Sequence, residues 1–275
     1  MSFNINVRNQ KDEKIFSSVD EILKKQIGGL SVSQYWNVLQ ENLIVWSKTI
    51  NNDYFWSKVQ NSITFWEQEY QKEYGGLLFL KTGGFDGFQN KSIDSIKDKL
   101  VRKIKKNESI LQEENTAFCI DELFCSDKFP IPNLSDLIRT RVTCAFLDGV
   151  SFLAQRLYDA AKDMGMNPEL EVHNKSEGYY AQHITFTHNV NYQILAQSIP
   201  MQIKVEIQLA TTLATRMWEA SHSIYEDVRG SKMLDDWAWN VNDPRFLNNQ
   251  LGHTLHLADG LLINLRNQKR GVGIK

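Results

Sequence analysis

The sequence predicts an α/β chain of the α+β kind: a mixed β-sheet flanked by helices, with further helices added at the N-terminal and C-terminal ends. Three observations carry this. Residues 14–75 repeat apolar side chains at helical spacing. From about residue 137, β-branched runs alternate with amphipathic stretches. Residues 231–275 then return to helical spacing. These textures divide the chain into an N-terminal helical region, 1–80, a central domain, 81–230, and a C-terminal helical extension, 231–275.

In the first region Ile22, Leu23, Tyr35, Trp36, Leu39, Leu43, Trp46, Trp56, Val59, Ile63 and Trp66 follow helical periodicity. Trp36, Trp46, Trp56 and Trp66 fall ten apart, close to three helical turns, which points to a shared buried face more than to a repeat. "YGGLLFLKTGGFDGF" is glycine-rich and turn-like. "NKSIDSIKDKLVRKIKKN" reads as a basic helix, with Lys97, Lys99, Arg102, Lys103, Lys105 and Lys106 against Asp94 and Asp98. "LIRTRVTCAFL" is a strand, and "DGVSFLAQRLYDAAKDMG" a helix capped by Asp148 and Gly165. "YYAQHITFTHNV" and "MQIKVEIQLA" are two further strands, and "TTLATRMWEASHSIYEDV" is a helix capped by Thr211 or Thr212. The chain closes on "DDWAWNVNDPRF" and a helix, "LGHTLHLADGLLINLRNQKR".

Composition bounds the function. At 275 residues with 42% hydrophobic content the chain buries a sizeable core. A net charge of -2 excludes a uniformly basic, nucleic-acid-coating surface but not a local basic patch. Cys119, Cys125 and Cys144 are odd in number with no CxxC spacing, which predicts a reducing, cytoplasmic setting and no zinc site. The first residues carry no signal-peptide pattern, and no apolar run is long enough to span a membrane, so no membrane partner is expected.

Three stretches carry residues suited to chemistry. In "IKVEIQLA" Val205, Ile207 and Leu209 occupy one face, and Lys204, Glu206 and Gln208 the other. A carboxylate at the centre of such a strand marks either a solvated second face or a site. Asp136 opens the first strand, and Arg139 and Arg141 alternate with Ile138 and Val142. That set reads as a surface ion pair, or as a magnesium ligand near bound phosphates. In "NKSIDSIKDKL" the first helical turn brings Lys91, Ser95 and Lys99, either a solvated face or a triphosphate site.

Taken in chain order, these stretches resemble the synthetase domain of the RelA/SpoT-homologue family, over about residues 88–229. "QNKSIDSIKDK" resembles the family's ATP loop, with Lys91, Ser95, Ile96 and Lys99 in place and Gln89 where an adenine-packing Arg is usual. "DLIRTR" resembles its metal-binding strand start, keeping Asp136 and Arg141 but with Arg139 where Gly is usual. "GYYAQH" resembles the acceptor segment, keeping Gly178, Tyr179 and His183, with Tyr180 for a basic residue and Ala181 for Ser. "EIQLAT" and "HSIYE" resemble the last segment, keeping Glu206, Gln208, Thr211, His222 and Tyr225, with Ala210 and Glu226 at positions usually basic.

The resemblance implies a nucleotidyltransferase-like synthetase fold and an enzyme, a pyrophosphokinase that moves the β,γ-pyrophosphate of ATP to a ribose 3′-hydroxyl. It implies a Mg2+ cofactor, with Asp136 and Glu206 as catalytic and metal-binding carboxylates. Lys91, Ser95, Lys99, Arg139 and Arg141 would bind ATP and its phosphates, and Gly178, Tyr179, Tyr180, His183, Gln208 and His222 the acceptor, with Tyr179 stacked on its base. Glu206 would share the metal or act as general base.

Tyr180, Ala210 and Glu226 stand at positions usually basic, and the variants "YYAQH" and "HSIYE" resemble the toxic branch of small alarmone synthetases, whose members include pyrophosphokinases of the tRNA 3′ terminal adenosine. That makes the tRNA 3′ end the first expected acceptor, with a toxin-like inhibition of translation. The basic helix 97–106 offers a place for an RNA backbone. Alarmone synthesis, (p)ppGpp or (p)ppApp from GDP, GTP or adenine nucleotides, is the alternative. A non-catalytic nucleotide-binding protein is the second alternative, disfavoured because Asp136, Glu206 and Tyr179 are all kept. An antitoxin protein and a homo-oligomer complete the expected partners. His253 and His256 are three apart on the last helix, but its leucines, Leu251, Leu255, Leu261, Leu262 and Leu265, favour core or interface packing over a metal.

Overall fold

A computed structural model of the chain describes residues 19–21, 23, 24, 27, 29–80, 85–106, 123–125, 129–174, 178–228 and 237–271. In chain order the elements are α1 (Val32–Asn51), α2 (Tyr54–Tyr74), β1 (Gln89–Asn90), α3 (Ile93–Lys106), β2 (Phe124–Cys125), β3 (Ile131–Pro132), β4 (Ile138–Cys144), α4 (Leu147–Asp163), β5 (Glu169–Asn174), β6 (Tyr180–Ile194), β7 (Gln197–Thr211), α5 (Thr212–Val228), a 3-10 turn (Trp237–Trp239) and α6 (Pro244–Lys269). The architecture is mixed α+β: a five-stranded sheet in the order β1-β4-β7-β6-β5, flanked by helices, and a small antiparallel pair, β2–β3. Among the described residues no helix is long and apolar enough to cross a membrane. The chain divides into two compact units, each drawn from separated segments.

The first unit takes residues 1–48, 90–138 and 188–204. Helix α1 opens on a reciprocal capping box: the Ser31 N–H donates to Gln34 Oε1 (2.8 Å) and the Gln34 N–H donates to Ser31 Oγ (3.2 Å). Its stripe of Tyr35, Trp36, Leu39, Leu43 and Trp46 is buried, as are Ile96, Leu100 and Ile104 of α3. Polar atoms on that stripe are answered by backbone. Trp46 Nε1–H donates to Asn191 O (2.8 Å), Tyr35 O–H to Pro130 O (2.9 Å), and Asn42 exchanges two bonds with the backbone of Gln193. The β6–β7 hairpin turns on Leu195 and Ala196, both at positive φ (44° and 62°), the signature of a type I′ turn. Neither residue type favours that conformation, so no hairpin signal is legible there.

The second unit takes residues 49–89, 139–187 and 205–275. Asp53 caps α2 through Trp56 N–H (2.6 Å), and Gly75, in the left-handed region, ends it. The four tryptophans are all buried, but they split between two helices: Trp36 and Trp46 on α1, Trp56 and Trp66 on α2. Helix α4 ends in a Schellman motif, with Gly165 N–H on Lys162 O and Met166 N–H on Ala161 O. Thr211 caps α5, its Oγ1 accepting from Ala214 N–H (3.1 Å).

Four sequence expectations are corrected. The first strand stops at Cys144, and α4 begins at Leu147 with Phe146, not Asp148, at its N-cap. Asp148 is claimed by tertiary partners instead: Tyr70 O–H (2.6 Å) and the Arg266 guanidinium, which also donates to Tyr70 (3.0 Å). An unexpected strand, β5, pairs antiparallel with β6 at the sheet edge. It was hidden because its apolar pair, Leu170 and Val172, is exposed and gives no core signal. The last helix starts at Pro244, seven residues before Leu251, with Asp243 as its N-cap. Its leucines Leu251, Leu261, Leu262 and Leu265 are not core; all are exposed.

Candidate active site

Within the first unit, three predicted residues come together. Asp136, just ahead of β4, is buried and receives both lysines: Lys91 Nζ lies 2.7 Å from Oδ2, and Lys99 Nζ 2.8 Å from Oδ1. Local structure makes this pairing. The Lys91 N–H is pinned to Leu137 O (2.8 Å), beside Asp136, and Lys99 sits in the second turn of α3. Burial pushes the Asp136 carboxyl up, but Lys99 and Lys91 outweigh it and hold the group at about 2. Asp136 is therefore a permanent anion facing two cations.

Ser92, which the sequence reading passed over, is the N-cap of α3. Its Oγ accepts from Ser95 N–H (3.3 Å) and bonds with the Ser95 hydroxyl (2.9 Å). Ser95 is thus an exposed residue in the first turn of α3, where an anion meets the helix N-terminus. The basic helix is less free than its sequence suggests. Lys97 lies over the Trp36 ring (5.0 Å), Lys99 is held by Asp136, and Lys103 donates to Asn133 O (2.7 Å). The Lys105 and Lys106 side chains lie outside the described residues.

Within the second unit a second set forms. Glu206 is buried, which argues against the reading of a solvated carboxylate on that strand face. Gln208 Nε2 donates to Glu206 Oε1 (2.5 Å), and His183 Nδ1 lies 3.5 Å from Glu206 Oε2. On the other side of the ring, His183 Nε2 bonds the Tyr179 hydroxyl (2.9 Å). A continuous polar line runs Tyr179–His183–Glu206–Gln208. Burial and the Glu206 charge push the Tyr179 phenol up to about 12, against the pull of Arg141 and Arg139. Those arginines alternate with buried Ile138, Thr140 and Val142 along β4, so both present the same face.

Strand alternation separates the two tyrosines. Tyr179 meets His183 and the Trp218 ring of α5 (5.3 Å). Tyr180 goes the other way, onto α6: its hydroxyl bonds His253 Nδ1 (2.8 Å) and its ring stacks on His256 (3.6 Å, 1°). The His253–His256 pair is therefore a packing surface for Tyr180, and no group of three metal-ligating side chains occurs among the described residues. Gly178, at φ 76°, has its missing side chain explained by α6. A Cβ there would lie 2.6 Å from Asn249 O, and one on Gly252 would lie 2.3 Å from Gly178 O.

Trp218 and His173 were missed from sequence. The His173 ring, on β5, lies 4.2 Å from that of His183. His222 falls on α5, with its side chain, like those of Tyr225 and Glu226, outside the described residues.

The first set as it stands has no open oxygen for a magnesium ion, because Lys91 and Lys99 take both Asp136 oxygens. It fits one only when the lysines move onto substrate phosphates, since Mg2+ is commonly held by one or two carboxylates and completed by those phosphates. Glu206 has both oxygens already facing Gln208 and His183, a setting that suits a positioned base better than a hard-metal ligand.

No protein-family model matches the chain, and no curated protein matches it. Solved structures do. The small alarmone synthetase 1 of Bacillus subtilis, bound to its product pppGpp, is 15% identical over 78% of this chain and 92% of its own, with a TM-score of 0.47. The small alarmone synthetase 2 of Bacillus subtilis is 16% identical over 83% and 98%, at 0.48. A GTP pyrophosphokinase family protein from Streptococcus pneumoniae is 16% identical over 88% and 97%, at 0.49. At such identities the likeness says nothing of chemistry.

Proposed function

We propose that this chain is an ATP-dependent pyrophosphokinase that passes the β,γ-pyrophosphate of ATP to the ribose 3′-hydroxyl of a nucleotide acceptor. One observation supports it above others: a buried, ionised Asp136 sits between Lys91 and Lys99 beside the N-terminus of α3. Lysines locked on a carboxylate are poised to release onto phosphates when a metal-bound triphosphate brings its own charge.

In this reading Lys91, Lys99 and Ser95 hold the phosphates, with Arg139 and Arg141 as further cations. Asp136 would hold Mg2+, which when bound neutralises phosphate charge and orients the chain for in-line attack. The acceptor base rests against Tyr179. Glu206, oriented by Gln208 and His183, takes the proton of the attacking hydroxyl. The new bond joins that oxygen to the β-phosphorus, the bond from β-phosphorus to the α–β bridging oxygen breaks, and AMP leaves.

Two acceptors each have an observation in their favour. The tRNA 3′ terminal adenosine, with toxin-like arrest of translation, is favoured by the missing cations. Ala210 and Glu226 are not basic, and Tyr180 is turned onto His253 and His256, so none of the three offers a positive charge to acceptor phosphates. A free nucleotide, giving (p)ppGpp or (p)ppApp, is favoured by α3, whose Lys97, Lys99 and Lys103 are engaged within the chain and leave less charge for an RNA backbone.

The test is transfer of label from γ-³²P-ATP with magnesium to GDP, GTP, AMP, ATP or deacylated tRNA, each offered alone. Label on tRNA alone selects the first acceptor, and label on a mononucleotide the second. ATP binding without transfer to any of them overturns the enzyme reading in favour of a nucleotide-binding protein.

A further inference from the structure

The leucines of α6 raise a question the proposed chemistry does not answer. One side of this helix is spent on its own unit: Gly252 lies against Gly178, His253 and His256 against Tyr180, Asp259 on Thr211, and Arg266 on Asp148. The opposite side carries Leu247 (61% exposed), Leu251 (45%), Leu257 (64%), Leu261 (54%), Leu262 (43%) and Leu265 (62%). With 100° per residue they fall, together with Thr254 and Ala258, within roughly 140° of the helix circumference.

Between Arg245 and Arg266 this face has no charge. The titratable residues there are Asp259, buried on the other side, and His253 and His256, turned onto Tyr180. A solvated helix face of five turns normally carries lysines and glutamates. The six leucines leave on the order of 600 Å² exposed, at the top of the range for the largest apolar patch of a monomer and near the roughly 800 Å² per partner of a stable interface.

The pattern also says what covers it. Along the centre of the face the residues run Leu247, Leu251, Thr254, Ala258, Leu261, Leu265, spaced 4, 3, 4, 3, 4. That order is a palindrome: two leucines, two small residues, two leucines. A stripe spaced 4, 3, 4, 3 can meet a second copy about a two-fold axis with the helices parallel or antiparallel, and its palindromic order keeps leucine on leucine and small residue on small residue in the antiparallel pair. Such a pairing sets Leu247 against Leu265, Leu251 against Leu261, and Thr254 against Ala258, with the small residues letting the helices approach at the axis. It also opposes the two helix dipoles.

We infer that α6 is a homodimerisation helix, pairing antiparallel with α6 of a second copy of this chain through Leu247, Leu251, Leu261 and Leu265. The proposal is independent of what reaction the chain performs.

Sedimentation velocity of the full chain at about 1–50 µM should give a dimer, and Leu251→Glu with Leu261→Glu should give a monomer with an unchanged far-UV circular dichroism spectrum. Should that variant fail to fold, Leu251→Gln with Leu261→Gln takes its place, and the dimer dissociation constant should rise at least tenfold. Direction is read by mixing a Thr254→Cys variant with an Ala258→Cys variant, which should form an intermolecular disulfide on mild oxidation faster than either single variant alone. A chain that sediments as a monomer throughout overturns the proposal. So does a dimer that survives the folded charge variant, or a mixture of the two single-cysteine variants that crosslinks no faster than either alone.

Discussion

Lys91 Nζ stands 2.7 Å from Asp136 Oδ2, with the two side chains only 9% and 8% exposed. An ion pair this dry exists because Lys99 closes the other carboxylate oxygen, so the buried anion has a cation on each side. Asp136→Asn should reduce transfer at least about 100-fold, on the scale seen when charge stabilisation is removed from a transition state. Lys91→Ala should lower stability by about 1–3 kcal/mol, less than a fully orphaned buried charge because Lys99 remains. Transfer assays and urea denaturation check the two effects separately.

The same carboxylate sets a pH window. Its folded value is about 2, below the ordinary 3.8, so the folded state binds the proton less tightly than the unfolded state. The stabilisation is present above the unfolded value, and is lost as pH falls from about 4 towards 2. It amounts to roughly 2 kcal/mol. The difference in unfolding free energy between the unmodified chain and Asp136→Asn should be flat from pH 5 to 7 and shrink below pH 4.

Tyr179 has two separable parts, a ring beside Trp218 and a hydroxyl on His183. Tyr179→Ala should raise the acceptor KM by about 10–100-fold, the worth of one base stack, with ATP affinity unchanged. Tyr179→Phe should keep the acceptor KM within about threefold. Equal effects of the two variants would reject the stacking role.

Glu206→Gln keeps the shape of the side chain and removes its ability to take a proton. It should lower kcat by about 10²–10⁴ with a near-native melting temperature. Where expression of the unmodified chain slows bacterial growth, this variant should relieve the inhibition. A variant that remains toxic places the active site elsewhere.

Two glycines of α6 make an internal control for packing. A methyl on Gly252 would meet the Gly178 carbonyl oxygen at 2.3 Å, whereas one on Gly260 would meet nothing within 4 Å. Gly252→Ala should destabilise by at least about 1–3 kcal/mol through overpacking. Gly260→Ala should be neutral or stabilise by up to about 1 kcal/mol, because alanine loses less backbone freedom on entering a helix. Thermal melts of both variants test this.

The sequence made the main strands and helices legible where burial and period agree, as with Val205, Ile207 and Leu209 on β7. It also brought Lys91, Lys99 and Asp136 into one list, although 45 residues separate the first from the last. What escaped was whatever rests on tertiary competition. Asp148 has the type and place of an N-cap, but a tyrosine and an arginine far along the chain take its oxygens. Strand β5 shows no buried alternation because its apolar side chains face outward, and so His173 had no visible partner. Tyr180 could be given a register but not a direction. Only the position of α6 sends it to His256 and leaves Tyr179 with His183.

The interleaving of the two units has a practical consequence. Each is assembled from three stretches of chain, and β6 and β7 both begin in one unit and end in the other. No single cut releases either half as a continuous piece, so limited proteolysis should not yield a stable fragment with one intact residue cluster. Many of the native pairings are also distant in sequence, which raises contact order and slows the search for them. Refolding from denaturant should therefore be a slow, concerted event in which the lysine–aspartate pair and the Tyr179–His183–Glu206 line become protected together.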